Sequence, residues 1–172
     1  METTSLRPGL RQGADPGREA AALEAEGLGL FPSRAGRGPT RHLLSLADLR
    51  LEELLHMVER GVRMKAGHFD PHALLGRVVG IYFQATSTRT RTSFTVGAAR
   101  LGATVVAYGP GDLQTNTGET VDDTVRVLAG FLDGLVVRAP ADTNDMRDLA
   151  GQGRMSVVNA MSAREHPTQA IA

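Results

Sequence analysis

The chain has 172 residues, the length of one domain or of one domain with an extension. Its 19 basic and 19 acidic residues give a formal net charge of zero, which argues against a sequence-independent nucleic-acid binder. The absence of cysteine excludes disulfides, cysteinyl zinc sites and thiolate catalysis. No apolar run is long enough for a membrane span, and no secretory signal is recognisable, so we expect a cytoplasmic protein that binds neither membrane nor nucleic acid.

Residues 1–40 differ in composition from the rest of the chain. They are rich in Gly, Ala, Arg and Pro and hold only short apolar clusters, such as Leu28–Phe31. A segment of this kind buries too little apolar surface to offset the entropy lost on ordering. We therefore expect a disordered N-terminal extension over 1–40, followed by one domain over 41–172.

The first periodic segment of this domain predicts an amphipathic helix that runs to about Ala66. Ser45 and Asp48 are residues that can cap its start, and Gly67 is suited to end it. Apolar side chains recur at helical spacing along one face, at Ala47, Leu51, Leu54, Leu55, Val58 and Val62.

Four short apolar runs beyond this helix predict buried strands, with helical patterns between them. The predicted strands are Val78–Phe83, Thr104–Tyr108, Leu135–Val137 and Ser156–Asn159. The predicted helices lie around Phe94–Leu101, over Gly118–Leu132 and Asp142–Ala150, and from Thr168 onward. This alternation predicts an α/β fold with an open, mostly parallel four-stranded sheet and helices on both faces.

Polar residues follow three of the predicted strands, at the sheet edge where parallel sheets bind ligands. Ser87–Ser93 follows the first strand, Arg138 follows the third, and a segment containing His166 follows the fourth. Hydroxyls and Arg89 at the start of a helix favour a phosphate, because the free amides and dipole there already attract an anion. No Walker A or dinucleotide-binding glycine pattern is present, which disfavours nucleoside triphosphates and dinucleotides.

Each of these features also has an ordinary structural explanation when it is considered alone. A Ser/Thr/Arg stretch commonly caps and solvates a helix start. His166 fits a loop beside a proline, and Arg138 fits a solvated strand end. The hypothesis of a phosphate site depends on their convergence at one edge.

The stretch Phe83–Phe94, FQATSTRTRTSF, resembles the signature of the aspartate/ornithine carbamoyltransferases. Further resemblances follow in family order, at Leu101-Gly102, Asp112–Thr124, Arg138 and His166-Pro167-Thr168-Gln169. The resemblance covers about His42 to Ala172 and corresponds to the N-terminal, carbamoyl-phosphate-binding half of such enzymes. The amino-acid-binding half is not part of the sequence.

The resemblance implies a role for each matching position. The implied ligands of the phosphate of carbamoyl phosphate are Ser87, Thr88, Arg89 and Thr90. Arg138 and His166, assisted by Thr90, would donate hydrogen bonds to the carbamoyl oxygen and form the catalytic set. Gln169 would bind the carbamoyl NH₂. Transfer to the amino group of an amino acid would then require neither a metal nor a cofactor.

The resemblance also implies a homotrimer, in which a loop of one subunit reaches the site of its neighbour. The matching residues here are Gln114, Thr115, Asn116 and Thr117, which carry no charge where many family members carry a lysine. A second departure is the stretch Gln84-Ala85-Thr86, where the family usually has a glutamate.

Two cues to the acceptor amino acid disagree. The spacing from Asn159 to His166 resembles the ornithine branch, whereas Gly118-Glu119-Thr120 resembles the aspartate branch. We expect the N-terminal half of an ornithine-type carbamoyltransferase of arginine biosynthesis, inactive by itself. A non-catalytic truncated homologue and a binding module for another phosphorylated metabolite remain open alternatives.

Overall fold

The computed structural model describes residues 40–113, 120–140 and 143–172. The helices are α1 (Leu51–Lys65), α2 (Thr88–Arg100), α3 (Val121–Phe131), α4 (Thr143–Ala150) and α5 (Pro167–Ile171). The strands are β1 (Val78–Phe83), β2 (Thr104–Tyr108), β3 (Gly134–Arg138) and β4 (Ser156–Met161). The extension predicted over 1–40 lies, apart from Thr40, outside the described residues.

The four strands form one parallel sheet in the order β2-β1-β3-β4. Successive side chains of a strand point to opposite faces, so each face of the sheet has its own core. Ile81 and Phe83 pack on one face with Phe94 of α2. Tyr82 and Val137 pack on the other face with residues of α3 and α4. The predicted open parallel sheet with helices on both faces is confirmed.

The first helix begins later than predicted. A separate 3₁₀ turn forms at Leu46–Asp48, where Ser45 caps the turn, and extended backbone at Arg50 precedes α1. Glu53 accepts a hydrogen bond from the backbone N of Arg50 at 3.1 Å. The predicted start near Ser45 was wrong because this local capping bond starts the helix at Leu51.

The apolar face of α1 is largely exposed. The exposed fractions are 72% for Leu51, 59% for Leu55, 39% for Val58 and 65% for Val62. The periodicity therefore predicts the helix correctly, although the described part of the chain does not bury this face. None of the described helices has both the length and the apolar character that crossing a bilayer requires.

Gly80 of β1 lies against a tightly packed part of the core. A Cβ at this position would be 2.6 Å from Leu132 Cδ1 and 2.9 Å from Leu135 Cδ1. Both leucines are buried, so they have little room to move away. The absence of a side chain at Gly80 is thus a packing requirement of the sheet.

We predict that Gly80→Ala lowers the free energy of unfolding by about 1–3 kcal/mol, the usual cost of overpacking. Gly61→Ala is the matched control, because a Cβ at Gly61, inside α1, would meet no atom within 4 Å. The control should gain about 0.5–1 kcal/mol from helix propensity. Urea unfolding of both variants measures the difference, and equal midpoints would contradict the packing requirement.

Candidate functional site

The turn from β1 into α2 presents the first group of polar side chains. Ser87 occupies the N-cap position of α2 with extended backbone, at φ −158° and ψ 98°, and its side chain makes no capping hydrogen bond. The Ser87 hydroxyl instead accepts a hydrogen bond from Arg138 Nη1 at 3.0 Å. The amides of the first turn of α2 therefore have no side-chain cap, and together with the helix dipole they favour an anion.

The pairing of β3 with β1 brings Arg138 to this turn. Phe83 and Arg138 are partners in the parallel register, and the backbone N of Gln84 donates to the Arg138 carbonyl at 2.9 Å. Arg138 is half-buried. Its guanidinium consequently reaches Ser87, from which it is separated by 51 positions in the sequence.

His166 arrives from the connection between β4 and α5. It occupies the N-cap position of α5, and its Nδ1 lies 3.4 Å from Thr168 Oγ1. Burial lowers the pKa of His166 below its ordinary value of 6.5, and the positive charge of Arg138 lowers this pKa further. The imidazole is therefore mainly neutral at pH 7, with one ring nitrogen as donor and the other as acceptor.

These elements line one open cleft of about 970 Å³. The sequence-predicted residues that line it are Ser87, Thr88, Arg89, Thr90, Arg138, His166 and Gln169. No aspartate or glutamate side chain belongs to the part of the lining that the structure describes. The positive charges of Arg89 and Arg138 therefore have no acidic side chain beside them in the cleft, and an anionic ligand would balance these charges.

Sequence reasoning missed several residues of the cleft. The lining also includes Thr86, Ser93, Phe94, Met161, Thr168 and Ala172. Thr168 lies within the His166–Gln169 motif, so the motif could have identified it as a residue of the cleft. Met161 was missed because β4 continues beyond the predicted strand end at Asn159. Gln114, Thr115, Asn116 and Thr117 lie outside the described residues, and their predicted role as a reaching loop stays a prediction.

We predict that Arg138→Gln raises the pKa of His166, because the substitution removes the positive charge that disfavours the imidazolium. NMR titration of the His166 ring protons, identified by their loss in His166→Gln, measures the shift. Arg100→Gln at the other end of α2 is the control and should leave the titration unchanged. An unaltered midpoint in Arg138→Gln would contradict the proximity of the two side chains.

Comparison with known proteins identifies a family whose ligand is a phosphate compound, in agreement with the polar and basic lining of the cleft. Residues 41–172 match the family model described as "Aspartate/ornithine carbamoyltransferase, carbamoyl-P binding domain". The ornithine carbamoyltransferase of a Synechocystis species is 38% identical over 132 residues, which are 77% of this chain and 42% of that protein. The chain thus spans less than half the length of such relatives.

Solved structures give the same result. The anabolic ornithine carbamoyltransferase of Campylobacter jejuni superposes with a TM-score of 0.70 at 30% identity, over 77% of this chain and 43% of that one. The Pyrococcus furiosus enzyme superposes with a TM-score of 0.67 at 37% identity, over 76% and 42%. The match covers the sheet, the signature at the start of α2 and the motif that contains His166, and on these grounds the chain belongs to the aspartate/ornithine carbamoyltransferase family.

Proposed function

We propose that this chain forms the carbamoyl-phosphate-binding half of an enzyme that transfers a carbamoyl group to the amino group of an amino acid. The observation that carries the proposal is the convergence of α2, Arg138 and the His166 segment on one cleft, whose described lining holds no aspartate or glutamate side chain. A small dianion with a carbonyl group fits this set of donors. Family membership supports the same ligand.

The start of α2 is proposed to hold the phosphate group. The proposed ligands are Ser87, Thr88, Arg89 and Thr90. Uncapped amides in the first turn of a helix donate directly to phosphate oxygens, and the helix dipole adds to their effect. Arg89 contributes a planar guanidinium, which can donate two parallel hydrogen bonds to a phosphate. The charge of the departing phosphate would therefore be balanced by the helix amides and by Arg89.

The opposite side of the cleft is proposed to hold the carbamoyl group. Arg138 and His166, assisted by Thr90, would donate to the carbamoyl oxygen, and Gln169 would accept from the carbamoyl NH₂. The acceptor amine attacks the carbonyl carbon, and a C–N bond forms. The C–O bond to phosphate breaks, and the proton that the amine nitrogen loses passes to the departing phosphate. Negative charge builds on the carbamoyl oxygen during the attack, so fixed donors stabilise the transition state by about 3–4 kcal/mol each.

Ornithine is the acceptor that we propose. The solved structures and curated relatives described above are named ornithine carbamoyltransferases. A role of the full-length enzyme in arginine biosynthesis and a cytoplasmic location are part of the same proposal. A homotrimer whose Gln114–Thr117 loops reach neighbouring sites belongs to the same proposal.

We predict that Arg89→Ala weakens the binding of carbamoyl phosphate and of inorganic phosphate about tenfold or more, because a charge-assisted hydrogen bond is worth roughly 1.5–3 kcal/mol. Arg100→Ala is the matched control, since Arg100 lies at the far end of α2 and outside the cleft. Calorimetric titration of the three proteins measures the affinities. Equal affinities for Arg89→Ala and the unaltered chain would contradict the phosphate assignment.

We further predict that the 172-residue chain binds carbamoyl phosphate but does not turn it over with ornithine. Holding both reactants in attack geometry contributes up to about 7–11 kcal/mol, and a chain with half the length of its relatives supplies one side of that geometry. A citrulline assay on the chain alone, and on the chain fused to the second half of the Synechocystis relative, measures transfer. Citrulline is expected from the fusion only.

The citrulline assay and calorimetric titration together distinguish the alternative functions. Citrulline from the chain alone would overturn the prediction. A fusion that binds carbamoyl phosphate without producing citrulline would favour a non-catalytic binding protein. A chain that binds phosphate and other phosphorylated metabolites as tightly as carbamoyl phosphate would favour a general phosphometabolite-binding module.

A further inference from the structure

The connection Ser162–Glu165, which leads from β4 to His166, is closed by hydrogen bonds between its first and last residues. The backbone N of Ser162 donates to the Glu165 carbonyl at 2.8 Å, and the backbone N of Glu165 donates to Ser162 Oγ at 3.2 Å. Ser162 Oγ in turn donates to the Glu165 carbonyl at 3.2 Å. These bonds fix the path of the chain immediately before His166.

Asn159 ties this connection to a distant segment of the chain. Its side chain is fully buried, and its Nδ2 donates to the Leu44 carbonyl at 2.8 Å and to Ser162 Oγ at 3.3 Å. Ser162 Oγ therefore donates one hydrogen bond and accepts two, which uses its full capacity. Asn159 Oδ1 has no hydrogen-bond partner within the described residues. The buried amide therefore holds the connection through its two Nδ2 hydrogen bonds.

Glu165 adds a second tie to the same segment. Its Oε1 accepts a hydrogen bond from the backbone N of Leu46 at 2.7 Å. This segment is itself fixed along β4, because the Leu43 N donates to the Val157 carbonyl at 2.9 Å and the Asn159 N donates to the Leu43 carbonyl at 2.8 Å. The carboxylate next to His166 is thus engaged with the backbone of another segment.

The start of α5 depends on the placement of His166. His166 occupies the N-cap position of α5, and Pro167 in its first turn is buried. The amides of Gln169 and Ala170 donate to the His166 carbonyl, so the start of α5 follows wherever His166 is placed. None of Asn159, Ser162 and Glu165 lines the cleft. Their influence on a ligand must therefore pass through His166, Thr168 and Gln169.

We propose that Asn159, Ser162 and Glu165 are positioning residues, which together set the orientation of His166 and Gln169 in the cleft. The inference rests on the proposed function, in which these two side chains hold the carbamoyl group. The phosphate side of the cleft lies on α2 and does not depend on these ties. Disturbing them should weaken recognition of the carbamoyl group and leave recognition of phosphate unaltered.

Substitutions at Glu165 provide the sharpest test. Glu165→Ala removes the acceptor for the Leu46 amide, whereas Glu165→Gln keeps a side-chain oxygen that can accept the same bond. We expect Glu165→Ala to bind carbamoyl phosphate about fivefold to tenfold more weakly and inorganic phosphate within about twofold of the unaltered chain, as the loss of one hydrogen bond suggests. Glu165→Gln should restore the affinity for carbamoyl phosphate. Glu59→Ala, on the exposed surface of α1, is the control for loss of an acid.

A second readout distinguishes failure of this inference from failure of the proposed function. The ring resonances of His166, recorded by NMR without ligand, should shift in Glu165→Ala and in Ser162→Ala and stay in place in Glu165→Gln. Unchanged His166 resonances, or equal losses of carbamoyl phosphate and phosphate affinity, would overturn the positioning role. An unaltered chain that binds carbamoyl phosphate no better than phosphate would instead contradict the proposed function, and the NMR comparison would still decide the positioning role.

Discussion

The parallel pairing of β1 with β3 determines where the polar groups of the cleft lie. Because Phe83 and Arg138 are register partners, the last residue of β3 lies level with the last residue of β1. The amide of Gln84 extends this pairing by one further hydrogen bond to the Arg138 carbonyl. A register slip of one residue would turn Arg138 to the other face of the sheet and remove it from Ser87.

The hydrogen bond from Arg138 to Ser87 has consequences on both sides of the cleft. On the α2 side it orients the Ser87 hydroxyl, which makes no capping hydrogen bond to the first-turn amides. On the α5 side burial lowers the pKa of His166, and the same guanidinium lowers this pKa further because it disfavours a second positive charge. The cleft thereby combines permanent charges that suit a phosphate with a neutral imidazole that can donate one N–H.

Much of this fold could be predicted from apolar patterning. β1 and β2 have the predicted ends, because each is a short apolar run followed by a polar or glycine residue. β3 and β4 extend past their predicted ends, because Arg138 and Met161 continue the pairing at positions that patterning does not mark as buried strand. The exposure of the α1 face was not predictable, since periodicity identifies an apolar face but not whether anything covers it.

The residues that line the candidate site could be predicted in part from the sequence. Ser87, Arg138 and His166 follow three different strands, and parallel topology alone places such residues at one edge. The network of Asn159, Ser162 and Glu165 was not predictable in this way. Its bonds to Leu44 and Leu46 join residues more than 100 positions apart, and no local spacing encodes such contacts.

The two sides of the cleft differ in how they are held. α2 has 13 residues and packs through the partly buried Phe94 against the sheet core, which supports its first turn. α5 begins at buried Pro167, and its start is tied by hydrogen bonds to a segment far away in sequence. The proposed anion site on α2 thus depends on the sheet and its helices, whereas the proposed orientation of His166 and Gln169 also requires the segment that contains Leu44 and Leu46.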